Sequence, residues 1–284
     1  MITSAKKVVP RRTPRDAPER SRVEMIPAER YARLLEALRA RGAASIRELA
    51  HLVGGSASTV RRDLEYLADR GALVRTFGGA ALDRAAAATY EPDAEIAAHL
   101  EHEEKQAIGR HAATLIEPNQ SVIFDSSSTV LEAARAFIER GIPATAVTND
   151  LAIARLLASA ANVRLVVLGG MLRTRSATLC GEPSERMLAE MHADVALLGT
   201  HAITADVFTE TSPEVARVKR AMIRAASRSI VLADHTKFGA PAFADICRAA
   251  DVSALVTTSR AASAALAPLR DAGIEVQVID ALRT

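Results

Sequence analysis

Residues 45–79 read SIRELAHLVGGSASTVRRDLEYLADRGALVRTFGG, and this stretch holds the most specific pattern in the chain. Its first four residues, Ser45-Ile46-Arg47-Glu48, have the spacing of a capping box, in which serine and glutamate each accept the other's backbone N–H. Apolar residues at helical spacing follow, until Gly54-Gly55 interrupts them. Glycine adopts positive φ at little steric cost, so this pair suits a tight turn. The stretch therefore predicts two short helices joined by a glycine turn.

The second helix and the segment after it favour contact with DNA. Ser56 is placed to cap this helix, Gly71 to end it, and residues 72–79 indicate a short hairpin. That order is typical of a winged helix-turn-helix, whose second helix enters the major groove, where arginine can hold guanine bidentately. The alternative is an ordinary helical pair with a solvated basic face. The predicted DNA-binding residues are Ser45, Ser56, Ser58, Thr59, Arg61, Arg62 and Arg75.

The same region resembles the DNA-binding head of a known family. The string Ser56-x-x-Thr59-Val60-Arg61-Arg62-Asp63-Leu64, followed by Gly71-x-Leu73-Val74-Arg75 and Gly78-Gly79-Ala80, is similar to that of the DeoR family. The resemblance implies a bacterial transcriptional regulator, since most members repress sugar-utilisation operons. Gly55 is a departure, because the family usually has an apolar residue before the serine.

Composition excludes several other classes of protein. The 284 residues are 49% hydrophobic, which suits one small domain and one larger domain. No apolar run approaches the ~20 residues of a membrane span, and the N-terminus lacks the apolar core of a secretory signal. The two cysteines, Cys180 and Cys247, have neither a disulfide framework nor metal-ligand spacing. We therefore expect a cytoplasmic protein that does not contact membranes.

Basic charge is concentrated at the N-terminal end. Residues 1–24 carry seven Lys or Arg against three Asp or Glu, and residues 25–80 carry nine against six. Because the whole chain is only +2, the remainder is acidic, so the basic charge gathers where DNA contact is predicted. The predicted organisation is a disordered basic tail over 1–24, the winged helix-turn-helix over 25–80, a linker over 81–102 and an effector-sensing domain over 103–284.

Beyond the linker, short β-branched runs alternate with helical segments. This alternation predicts an α/β fold with a mostly parallel sheet. The predicted strands are residues 121–124, 144–148, 164–168, 195–198, 229–232, 254–257 and 275–279. The predicted helices are residues 101–116, 129–140, 151–158, 183–191, 213–226 and 261–272.

Polar clusters follow several of these strands, at the edge where such sheets bind ligands. Residues 125–129, DSSST, combine hydroxyls with the backbone N–H groups of a helix N-terminus, which is a natural anion cradle. Residues 148–150, the Gly169-Gly170 pair with Arg173, and residues 234–239 follow other strands. Each cluster alone could be an ordinary helix cap. Their convergence predicts a site for a phosphate-bearing small molecule.

These strings also resemble the sensor domain of the DeoR family, which shares its fold with ribose-5-phosphate isomerase. The resemblance continues through residues 218–223, VKRAMI, and covers nearly all of residues 25–284. It implies an effector that is a phosphorylated sugar or polyol. By carry-over, the effector-binding residues are Asp125, Ser126, Ser127, Ser128, Thr129, Thr148, Asn149, Asp150, Gly170, Arg173 and Lys237. This chain departs from the family pattern at three places. Ser127 stands where the family usually has glycine, His201-Ala202 stands where Asp-Gly is usual, and Val215 stands where a glutamate is common.

The sequence thus predicts a homo-oligomeric regulator, a dimer or tetramer, that binds double-stranded operator DNA. We expect a repressor that a phosphorylated sugar releases, with no enzymatic activity and no cofactor. One alternative is a sugar-phosphate isomerase-like enzyme with an accessory DNA-binding head, and another is a DNA binder whose pocket has decayed. No metal site is expected, because His99 and His102 beside Glu103 are typical of a solvated helix face.

Overall fold

The computed structural model describes residues 25–82 and 90–281. The predicted basic tail and residues 83–89 of the predicted linker lie outside the described residues. In the described part of the chain, no helix combines the length and the hydropathy that crossing a membrane requires.

The N-terminal head combines helices with a small antiparallel sheet. Its elements are α1 (Pro27–Arg41), β1 (Ala43–Ser45), α2 (Ile46–Val53), α3 (Ala57–Ala68), β2 (Val74–Thr76) and β3 (Gly79–Ala81). The predicted helical pair and hairpin are both present. One strand was not predicted: β1 lies against β3, which places the hairpin beside the start of α2.

The local signals of the sequence account for these helix ends. The Ser45 hydroxyl accepts the Glu48 N–H at 3.3 Å, while the Glu48 carboxylate accepts the Ser45 N–H at 2.8 Å. Gly54 follows α2 in the left-handed region at φ +62°, and Ser56 caps α3 by accepting the Thr59 N–H at 3.1 Å. The predicted capping box, glycine turn and second cap are confirmed.

A buried ion pair ties the helices of the head together across their apolar core. The core is formed by α1, α2 and α3, with Leu35, Leu38 and Leu64 among its fully buried side chains. At its side, the Arg30 guanidinium donates to both carboxylate oxygens of Asp63, with Nη2 3.0 Å from Oδ1. Because Asp63 is almost completely buried, the Arg30 guanidinium compensates the loss of water around its carboxylate.

The predicted linker contains a helix that packs on the head. This helix, α4 (Ala94–His99), lies against α1, and Ile96 and Leu100 are buried in the head's core together with Tyr90. The Tyr66 hydroxyl donates to Asp93 at 3.1 Å, and Arg70 lies 3.9 Å from the same carboxylate. Residues 90–100 therefore pack against the head, although they also connect it to the rest of the chain.

The rest of the chain forms the α/β domain. Its helices are α5 (His102–Thr114), α6 (Ser128–Glu139), α7 (Leu151–Leu157), α8 (Glu182–Ala189), α9 (Pro213–Ala225) and α10 (Ser263–Asp271). The strands of its main sheet are β4 (Ser121–Phe124), β5 (Ala144–Thr148), β6 (Val163–Val167), β9 (Ala193–Gly199), β12 (Ala226–Leu232), β14 (Ala254–Thr258) and β15 (Glu275–Ile279). Four of the remaining strands are short: β7 (Met171–Leu172), β8 (Leu179–Cys180), β10 (Ala202–Thr204) and β11 (Val207–Glu210), while β13 (Ala244–Arg248) pairs with β11.

The main sheet is parallel throughout, in the order β15-β14-β12-β9-β4-β5-β6. Both of its faces are covered: Val122 and Phe124 lie in one apolar cluster, while Ile123 between them lies in the other. This burial explains the continuous apolar runs that predicted the strands. The mixed α/β fold is confirmed, and the order brings the ends of β4, β5 and β9 together.

We expect Asp63→Ala to destabilise the head, because it removes the carboxylate that compensates the largely buried Arg30 guanidinium. Removing one partner of a buried ion pair costs about 3–5 kcal/mol. Urea unfolding of the full chain, followed by circular dichroism, measures the loss. Asp69→Ala, an exposed change at the end of the same helix, is the control and should cost no more than about 0.5 kcal/mol. Equal losses in the two variants would contradict this account of the head.

Candidate effector site and DNA-binding surface

A cavity of about 340 Å³ lies at the carboxyl ends of β4, β5 and β9. Its walls are the loop from β4 to α6, the turn at residues 173–178, the end of β9, and residues 91–98 of the linker segment. A volume of this size suits a small metabolite, and the place is where parallel α/β sheets usually bind ligands.

The predicted effector-binding residues divide between the surface of the cavity and the layer behind it. Six of them line the cavity: Ser126, Ser127, Ser128, Asp150, Arg173 and Lys237. The other five lie outside its lining: Asp125, Thr129, Thr148, Asn149 and Gly170. The direct contact predicted for these five is therefore not supported by the geometry of the cavity.

The residues behind the lining hold the loops in place. The Asn149 side chain accepts the Ser126 N–H at 3.1 Å and donates to the Leu179 carbonyl at 3.0 Å. The Thr148 hydroxyl donates to the Phe124 carbonyl at 2.7 Å. Both side chains are fully buried. They fix the two loops on which Ser126 and Asp150 reach the cavity.

Lys219 is a residue of the site that the sequence did not single out. Its Nζ donates to Asp125 and, at 3.0 Å, to the Gly199 carbonyl, and it lies 3.6 Å from Glu210. Burial acts to lower the pKa of Lys219, but the two carboxylates outweigh it, so its pKa is raised overall. The lysine is thus a fixed positive charge in the wall of the cavity. Glu210 precedes Lys219 by only nine residues, but Asp125 lies 94 residues before it, so only the fold brings Asp125 and Lys219 together.

Lys237 supplies a second positive charge, beside a buried carboxylate. Asp234 is almost fully buried at the start of the 3₁₀ turn His235–Lys237. Burial acts to raise the pKa of Asp234, but the charges of Lys237 and Lys105 hold it at about 2. The carboxylate therefore stays ionised near Lys237, which lines the cavity.

The departures from the family pattern fit the local structure. Ser127 has an extended backbone at φ −158°, which needs no glycine, and its hydroxyl accepts the Thr129 N–H at 3.2 Å. A Cβ at Gly199 would lie only 2.4 Å from the Ser127 side chain, so the two positions share one space. His201 lines the cavity, and Val215 is buried in α9.

One group of possible metal ligands occurs among the residues that the structure describes. It consists of Glu101, Glu104 and His235, and it does not include His99 or His102. The Arg260 guanidinium already donates to both glutamates, at 2.7 Å to Glu101. The positive charge of the Arg260 guanidinium takes the position that a metal ion would need beside these carboxylates, so this group is an ion-pair network.

The surface of the head presents its basic residues around the start of α3. Arg61, Arg62 and Ser58 are exposed, whereas Ser45 and Ser56 use their hydroxyls to cap helices. Arg75 lies on β2, 3.8 Å from Glu65. Phe77, which the sequence did not single out, is fully exposed at the tip of the hairpin. An apolar side chain on a hairpin that is predicted to contact DNA can serve as a groove contact.

We expect Gly199→Ala to destabilise the α/β domain, because the new methyl group overlaps the Ser127 side chain. Such overpacking costs about 1–3 kcal/mol. Adding Ser127→Gly removes the obstructing atoms and should restore most of the loss, since the next neighbour is Asp125 Oδ2 at 3.6 Å. Urea unfolding of the two single variants and the double variant measures the coupling. Additive effects in this cycle would show that the two side chains do not share the space.

Comparison with known proteins adds independent support for this organisation. A DeoR-like helix-turn-helix domain matches residues 30–85, and a DeoR C terminal sensor domain matches residues 100–259. The chain is 31% identical over 259 residues to the HTH-type transcriptional repressor GlcR of Bacillus subtilis, a match covering 90% of this chain and 98% of that one. It is 29% identical over 251 residues to the glycerol-3-phosphate regulon repressor of Escherichia coli, covering 88% and 98%.

Among solved structures, ribose 5-phosphate isomerase A from Neisseria gonorrhoeae is similar over 48% of this chain and 53% of that one. The TM-score is 0.36 and the identity 14%, so this likeness supports no inference about activity. The two domain matches together span both the head and most of the α/β domain. The chain belongs to the DeoR family of transcriptional regulators.

Proposed function

We propose that this regulator represses a carbohydrate or polyol operon, and that a phosphorylated sugar or polyol releases it from operator DNA. The observation that carries the proposal is the cavity at the strand ends, with its hydroxyls and cations. The DeoR match over the head supports the DNA-binding half of the proposal. The names of the relatives, a glycerol-3-phosphate regulon repressor among them, support the kind of operon.

The chemistry of the cavity favours an anionic ligand that also carries hydroxyl groups. Ser127 and Ser128 stand at the N-terminus of α6, where backbone N–H groups and the helix dipole favour negative charge. Arg173 and Lys237 line the same space. Arginine holds a phosphate through two parallel hydrogen bonds, and lysine acts as a point charge. Asp150 also lines the cavity; its Oδ1 caps α7, and its second carboxylate oxygen can accept sugar hydroxyls.

The head acts in this proposal as one of at least two in a homo-oligomer. The start of α3 would enter the major groove, and the hairpin with Arg75 and Phe77 would lie along the adjacent minor groove. Helix-turn-helix proteins read repeated half-sites whose spacing matches the spacing of their heads. Effector binding would then favour an arrangement of heads that fits the operator less well.

The cavity gives less support to an isomerase. Lys219, the most buried cation in its lining, is held between two carboxylates with its pKa raised. Such a lysine suits a fixed charge rather than proton transfer. Assay of ribose 5-phosphate turnover tests this alternative, and turnover that is lost with Lys219→Met would favour the enzyme.

We expect phosphorylated sugars or polyols to release the protein from DNA of its own upstream region. Fluorescence anisotropy with ribose 5-phosphate, glucose 6-phosphate and glycerol 3-phosphate, each beside its unphosphorylated parent, measures the release. Lys237→Met should raise the concentration needed for release about 10-fold or more, since a charged hydrogen bond contributes about 1.5–3 kcal/mol. Arg248→Met, a surface cation outside the cavity lining, is the control. Binding that no phosphate weakens would favour the decayed pocket.

For the head, we expect Arg61→Ala to weaken operator binding by about 1–3 kcal/mol through the loss of a base contact. Binding to random duplex DNA should change much less. Arg224→Ala, an exposed change on α9 of the α/β domain, controls for the loss of one positive charge. Equal weakening on operator and random DNA would show that Arg61 contacts only phosphate.

A further inference from the structure

The mouth of the cavity is occupied by a side chain of the protein itself. Glu91, three residues before α4, places both carboxylate oxygens against Arg173: Nη1 donates to Oε1, and Nη2 donates to Oε2 at 2.6 Å. The Thr211 hydroxyl donates to Oε2 at 2.7 Å. A guanidinium fork plus a hydroxyl is also the set of donors that a phosphate group would use.

The charges of this contact reinforce one another. Burial acts to raise the pKa of Glu91, but the hydrogen bonds from Arg173 and Thr211 outweigh it, so the pKa is lowered overall. The hydrogen bond to Glu91 in turn raises the pKa of Arg173. Glu91 is therefore an ionised carboxylate that occupies the cavity's arginine.

The same segment is held by the head on both sides of Glu91. Tyr90, one residue before it, is buried in the apolar core of the head, and Asp93, two residues after it, accepts the Tyr66 hydroxyl. Farther along, the Glu101 N–H donates to Glu36 of α1 at 2.8 Å. Because Tyr90 and Asp93 are only one and two residues away, a shift of the backbone at Glu91 is transmitted to these contacts with the head.

We propose that Arg173 is the anion subsite of the effector cavity, with the Thr211 hydroxyl just outside the lining as a second donor, and that Glu91 fills this subsite until the phosphate of the effector displaces it. The inference rests on the proposed function and specifies how the same site is regulated. The phosphate and the Glu91 carboxylate exclude each other, because both need the same face of one guanidinium and like charges repel at that distance. Effector binding thus detaches residues 90–93 from the α/β domain, and the head loses its fixed position.

Competition of this kind sets the direction of the mutational effects. The effector must break the Glu91 contacts before it binds, so Glu91 lowers the apparent affinity for the effector. Glu91→Gln keeps the size of the side chain but removes the charge that competes. Phosphorylated ligands should therefore bind the variant more tightly, while operator DNA, which needs the head held in place, should be bound less tightly.

The test compares full-length wild-type protein with Glu91→Gln by isothermal titration calorimetry. The ligands are inorganic phosphate, ribose 5-phosphate and glycerol 3-phosphate. We expect an affinity gain of about 10-fold for every phosphate that binds, because a hydrogen bond to a charged group is lost from the competing state. Arg173→Gln should weaken the same ligands in either background. Glu182→Gln, which removes an exposed carboxylate paired with Arg186 outside the cavity lining, is the matched control and should change neither binding event.

The possible results distinguish the role of Glu91 from the proposed function of the cavity. Phosphates that bind wild type and Glu91→Gln with equal affinity, or bind the variant more weakly, would overturn the role of Glu91 and leave the proposed effector class standing. Phosphates that bind neither protein would overturn both. Tighter phosphate binding together with weaker binding to operator DNA, in a variant whose melting temperature is unchanged, supports the displacement of Glu91.

Discussion

The buried charge of Lys219 is the constraint on which the effector site depends. Its ammonium group lies where the end of β4, the end of β9 and the end of β11 meet α9, and it bonds Asp125 and the Gly199 carbonyl there. An ammonium group so deeply buried is stable only with full partners, and each partner holds one of the loops that surround the cavity. This contact joins Asp125, the residue before Ser126, to the end of β9 and to Glu210. Lys219 thus connects the elements that surround the cavity and also contributes a positive charge to its wall.

The main sheet could be predicted from the sequence because burial on both faces produces runs of β-branched residues. Residues 121–124, 144–148 and 275–279 agree with the strands to the residue. The small antiparallel pairs β7–β8 and β10–β11 were missed, because strands of two to four residues show no periodicity. The alanine-rich composition of residues 81–89 suggested a linker with little to pack, and the linker was predicted over residues 81–102. Ile96 and Leu100 nevertheless complete the core of the head.

The site was predicted in part, for a related reason. The hydroxyl cluster and Arg173 are local in sequence, since they follow strands, and sequence patterns detect such neighbours. Glu91 precedes α4 and Lys219 lies on α9, and only the fold brings both to the lining of the cavity, with Thr211 in contact with Glu91. Carry-over by motif also predicted that Asp125 and Asn149 bind the ligand. In the structure Asp125 accepts the Gly199 N–H and Asn149 accepts the Ser126 N–H, and both lie outside the lining of the cavity. A sequence motif therefore locates a loop that borders the cavity, but it does not show which side chains of that loop line it.

The shared space of Ser127 and Gly199 has a consequence for how this family can diversify. A chain with Ser127 cannot accept a larger residue at 199, whereas a chain with glycine at 127 has room for one. Substitutions at the two positions must therefore occur in a fixed order, because the reverse order passes through a destabilised intermediate. As long as Ser127 is present, replacement of Gly199 at the end of β9 by a larger residue is disfavoured. Descendants of this protein can alter the floor of the cavity at position 199 only after that serine has been lost.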